Sequence, residues 1–99
     1  MDVSYTILPG AFEAEAAQME SEEASKIMKE LVKLTKDGFG ATQTALDLAI
    51  ETKSRISRMC LLIARSGAPN AVMIFKHGLG TIKELDKVIL NIKRAMEES

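Results

Sequence analysis

The chain has 99 residues, 46% of them apolar but only 4% aromatic and none of them Trp, so a single domain with an aliphatic, Met-rich core is expected. A net charge of −1 gives no global case for a nucleic-acid or membrane partner, and one Cys with one His excludes an intramolecular disulfide and a four-ligand zinc site. No uncharged run is long enough to span a bilayer, and Asp2 stands where a basic signal region would begin, so an intracellular, cytoplasmic protein with no cofactor or metal is expected.

Residues 1–10 alternate weakly between apolar and polar and end in Pro9-Gly10, which predicts an extended arm. Val3, Tyr5, Ile7 and Leu8 make that arm apolar enough to dock on the bundle or on another copy. From Ala11 the sequence turns to Ala and Glu, both good helix formers. Phe12, Ala16, Met19, Ile27, Leu31 and Leu34 recur near the helical period, with Glu23 interrupting the stripe so that the early turns are expected to fray. The expected division is therefore an arm and acidic leader over 1–18 and a helical bundle over 19–99. Residues 1–32 hold seven acids and two bases, a charge of −5; residues 33–99 hold eleven bases and seven acids, +4. A leader with this charge is either a solvated face or a segment that meets the basic part, in its own chain or in a neighbour.

Lys36-Asp37-Gly38-Phe39-Gly40 reads as a helix stop, with Gly38 in the left-handed position past the end and Phe39 after it as in a Schellman cap. Thr42 or Thr44 then caps a second helix over about 42–65. Its apolar and small residues Ala45, Ala49, Thr52, Ile56, Met59 and Ile63 step by fours and threes, the seam of a packed helix. Leu61 and Leu62 fall outside that seam, so Met59–Ala64 is apolar nearly all round. Ser66-Gly67-Ala68-Pro69-Asn70 marks the next break. Ala71–Phe75 is read as a short helix, Lys76-His77-Gly78-Leu79-Gly80 as a second stop, and Thr81 with Glu84 as the capping box of a last helix. Ile82, Leu85, Ile89, Ile92 and Met96 give that helix a clear apolar stripe.

The two stops suggest an internal repeat. Lys36–Ile50 and Lys76–Ile89 share a K-x-G-φ-G core, and one skipped residue aligns Thr42 with Thr81, Leu46 with Leu85, Asp47 with Asp86 and Ile50 with Ile89. The expected fold is all-α: a small bundle of two helical hairpins, three long helices plus one short, with an N-terminal extended arm. Two stacked units leave unfinished apolar ends, which favours self-association.

The Gly38-Phe39-Gly40 and Gly78-Leu79-Gly80 turns resemble those of the helix-hairpin-helix, a family of sequence-independent DNA binders. That family's pattern puts an apolar residue six after the leading Gly. Here those positions hold Thr44 and Glu84, with Ala45 and Leu85 one later, and the chain is not assigned to the family. Backbone N–H groups at such turns suit a phosphate. Lys36, Arg55, Arg58, Arg65, Lys76 and His77 are the candidate phosphate contacts, and the three Arg form a stripe interrupted by Leu62. His77 also suits a helix C-terminus on electrostatic grounds alone.

Nothing points to catalysis. Cys60 lies in an apolar helix without a nucleophile motif, and Glu20, Glu22 and Glu23 form an acidic run without the burial that acid–base work needs. No P-loop, dinucleotide fingerprint, HExxH or EF-hand pattern is present. The expected function is non-enzymatic association with itself or with another helical protein, as an assembly subunit or adaptor. Leu61, Leu62, Val72, Ile74 and Phe75 are the candidate interface, because a lone small bundle cannot easily cover them all. Phosphate-backbone binding is the alternative.

Overall fold

A computed structural model describes residues 11–67 and 69–98 of the chain. The predicted arm over 1–10 lies outside the described residues. Three α-helices follow in order: α1 (Ala11–Lys36), α2 (Gln43–Ser66) and α3 (Ala71–Glu98). They contain 26, 24 and 28 residues, or about 36–42 Å each at 1.5 Å per residue.

The first turn forms as its residues dictate. Gly38 has φ 88°, and the Phe39 N–H donates to the Leu34 carbonyl at 2.8 Å while Gly38 donates to Thr35 at 3.2 Å. Those two bonds close a Schellman cap and satisfy carbonyls that the helix end leaves orphaned. Thr42 is the N-cap of α2, its side-chain oxygen accepting from the Ala45 N–H at 3.2 Å. Gly67, at φ 68°, ends α2 in the left-handed conformation, and the Asn70 carbonyl accepts from the Ile74 N–H in the first turn of α3.

α2 lies between its neighbours. α1 packs on one flank and α3 on the other, and the backbones of α1 and α3 do not approach each other closely among the described residues. The order of contacts makes the arrangement up-down-up. Leu31 of α1 and Ile92 of α3 meet Ala45, Leu46 and Ala49 at the start of α2, while Ala17, Ala71 and Ile74 gather on Met59, Cys60 and Ile63 near its end. The predicted α2 seam is the one buried: Ala45 and Ala49 are fully covered, Thr52 is 1% exposed, and Met59 and Ile63 are buried. Three small residues in the first half of that seam let both flanking helices approach closely. Thr52 satisfies its buried hydroxyl by donating to the Leu48 carbonyl at 2.8 Å. On α3, Leu85 and Ile92 of the predicted stripe are buried, with Ile82 and Ile89 partly so.

α1 is a helix from Ala11, as the Ala- and Glu-rich sequence there suggests, and Ala17 is buried in the core at 1% exposure. One expectation is corrected: there is no stop at 76–80. α3 runs unbroken from Ala71 to Glu98, so among the described residues three helices replace the expected three long and one short. The two K-x-G-φ-G segments therefore differ in conformation, and the similarity is not a structural repeat. Thr81 is a mid-helix residue whose hydroxyl donates back to the His77 carbonyl at 3.1 Å, not a cap. His77 and Lys76 stand within α3, away from any helix end.

The physical reason is Gly78. It is buried where α3 crosses α2, and a Cβ built on it would collide with the Cys60 Sγ and stand 3.2 Å from the Met59 Cε. The residue serves close helix packing, a role that local sequence does not distinguish from a turn.

Candidate protein-interaction surface

Large apolar side chains stay at the surface on all three helices, and Leu61, Val72, Met73 and Leu79 are those around the α2–α3 turn. The outer seam between α2 and α3 opens into a hollow of about 440 Å³ lined by Ala64, Ala71, Val72, Phe75, Lys76 and Leu79. Val72 is 69% exposed and Leu79 42%. They stand seven residues apart on one face of α3, with Phe75 between them. Leu61, 59% exposed, lies one helical turn before Ala64 on α2. An apolar concavity with an exposed aliphatic wall and one Lys at its edge suits the capture of another helix face.

The five candidate interface residues do not form one surface. Leu61 and Val72 are exposed, and Val72 and Phe75 line the hollow. Leu62, Ile74 and Phe75 are half-buried against the core cluster of Ala17, Met59, Cys60 and Ile63. Ile74 points the other way, into a concavity of about 310 Å³ shared with Ala14, Ala17 and Ser21 of α1. Ala64 and Leu79 are not among the sequence candidates: a stop at 76–80 puts Leu79 in a turn, and only a continuous α3 places it one face-repeat beyond Val72.

The candidate phosphate contacts are dispersed. Lys36 ends α1 beside the start of α2, and Arg65 sits at the far end of α2, about 33 Å away along the helix axis. Arg55 and Arg58 are held by Glu20 of α1, at 3.2 Å and 3.8 Å, and Arg55 also reaches Glu51 at 3.6 Å. Glu20 is largely buried, its side chain 13% exposed, so the acidic half of α1 and the Arg stripe of α2 meet within one chain. Lys76 and His77 are exposed on α3 with no turn beside them.

The remaining chemistry is sparse. Cys60 is buried, and desolvation raises its pKa above that of a free thiol, which lowers its reactivity. Among the described residues, no group of three or more His, Cys, Asp or Glu is placed to hold a metal ion, and no helix is long and apolar enough to cross a membrane. No protein-family model matches the chain, and neither a curated protein nor a solved structure matches it.

Proposed function

We propose that this chain is a non-enzymatic helical interaction module that associates with itself, as a small assembly subunit. The observation that carries the reading is the open hollow between α2 and α3, where Val72, Leu79 and neighbouring Leu61 stay at the surface. Covering such a face is the usual use of an apolar helix surface in a small bundle. Binding of a phosphate backbone has less support. Glu20 already engages Arg55 and Arg58, and one of the two Gly turns invoked for it is helix.

The test is light scattering on a sizing column across a concentration range. The wild-type chain is expected to run above its 10.8 kDa mass as concentration rises. The Val72→Asp variant, changed at an exposed position, is expected to keep its helical circular dichroism and return to the single-chain mass. A wild-type mass equal to one chain at every concentration up to about 1 mM, a concentration at which even a 1 mM complex would register, overturns the proposal.

A further inference from the structure

The hollow on α3 has a counterpart on α1. Phe12 and Met19 are 78% and 61% exposed and lie seven residues apart, one above the other on one face of the helix. They form an apolar ridge about 10 Å long. Val72 and Leu79, the exposed wall of the hollow, are also seven residues apart and span the same length. The flanking charges repeat with the same period and with opposite sign. Glu15 and Glu22 each follow a ridge residue by three positions, and Lys76 and Lys83 each follow a hollow residue by four. All four charged residues are exposed. Glu22 takes only a 3.4 Å hydrogen bond from Gln18, and Glu15, Lys76 and Lys83 enter no ion pair among the described residues.

Resting on the self-association reading, we infer that the occupant of the hollow is the Phe12/Met19 ridge of a second copy of this chain, with Glu15 and Glu22 of one copy facing Lys76 and Lys83 of the other. Matched period supplies the apolar fit, and matched charge supplies the register. The acidic N-terminal half of the chain then acts twice: Glu20 binds its own α2, and the outer acids face a neighbour. Ridge and hollow lie toward the same end of the bundle, since Ala17 of α1 and Ala71 of α3 share one core cluster.

Complementation tests this directly. Phe12→Asp removes the ridge and leaves the hollow; Val72→Asp does the reverse. Each variant alone is expected to weaken assembly about tenfold or more, as loss of an interface anchor does. Mixed, they restore one ridge–hollow contact, so the mixture is expected to recover assembly that neither shows alone. Loss in both variants without recovery on mixing overturns the pairing. Normal assembly of Phe12→Asp beside loss in Val72→Asp also overturns it, while leaving self-association through the hollow standing. A monomeric wild-type chain removes both readings. Should either Asp variant lose its helical signal, charge reversal carries the same test on exposed positions. Glu15→Lys/Glu22→Lys and Lys76→Glu/Lys83→Glu each repel themselves and are expected to assemble only with one another; self-assembly of each at the wild-type level refutes the inference.

Discussion

Gly78 and Gly80 lie two residues apart in the interior of α3, yet replacing them with Ala should move stability in opposite directions. Each glycine costs a helix interior about 1 kcal/mol relative to alanine. At Gly80 a new Cβ meets nothing within 4 Å, so Gly80→Ala should stabilise by about 1 kcal/mol. At Gly78 the same backbone gain is opposed by a collision with the Cys60 Sγ, on a helix held in place by its own core contacts. Overpacking of this kind costs about 1–3 kcal/mol, so Gly78→Ala should be net destabilising by about 1 kcal/mol. The two variants should thus differ by about 2 kcal/mol, or roughly 10 °C in Tm for a domain of this size. Urea titration followed by circular dichroism at fixed protein concentration reads this as midpoints on either side of wild type with an unchanged slope. A further arm separates collision from turn strain. In a Cys60→Ala background the cost of Gly78→Ala should disappear, whereas a left-handed turn at Gly78 would keep it. Equal stabilisation by both alanines would refute the close α2–α3 crossing.

Three other expectations follow from single contacts. Glu20→Gln should cost about 1–2 kcal/mol, because it leaves Arg55 and Arg58 without their shared, largely buried carboxylate; Glu51→Gln, on the exposed side of Arg55, should cost under about 0.5 kcal/mol, and equal effects in urea titration would remove Glu20 from its assigned role. Thr42→Ala should cost about 1 kcal/mol through loss of the α2 N-cap, whereas Thr44→Ala, at an exposed position, should cost little in the same titration. Burial raises the Cys60 pKa, so at alkaline pH the unfolded chain loses the thiol proton first. Stability should therefore fall as pH rises through the ordinary thiol range near 9.0, and Cys60→Ala should flatten that part of the profile; an unchanged profile would show that the thiol does not contribute.

The helices' inward faces were legible because a seam is a local property. The steps from Ala45 to Ile63 and from Ile82 to Met96 carry their own period, and burial follows it at Ala45, Ala49, Thr52, Met59, Ile63, Leu85 and Ile92. The Gly38 stop was equally local: one glycine, one hydrophobic residue after it and a capping Thr suffice to end one helix and start the next. What α1 does was less legible. Glu20 looked like one more solvated acid because its partners lie 35 and 38 positions away, and nothing in its immediate neighbourhood distinguishes it from Glu22 or Glu23. The imbalance between −5 and +4 left open a solvated acidic segment or one that meets the basic part, and it named no residues for such a contact.

The misread stop and the incomplete interface have a common origin. K-x-G-φ-G occurs twice, and glycine has two uses in helical proteins: it accepts φ > 0 past a helix end, and it removes a Cβ where two helices cross. Gly38 has the first use, with φ 88° and open space around it; Gly78 has the second, pressed against Met59 and Cys60. Only the facing helix separates these cases, and a single sequence does not say which helix faces which. Reading Gly78 as a turn ended the short helix at Phe75 and assigned Leu79 to a loop. Once α3 is continuous, Leu79 falls one face-repeat beyond Val72, Lys83 the same distance beyond Lys76, and a five-residue apolar run becomes one end of a longer charged-and-apolar helix face. The close packing at Gly78 therefore bears on the outer surface as well as the core: with a glycine that fits against α2 inside a continuous helix, Val72 and Leu79 fall on one unbroken face of α3.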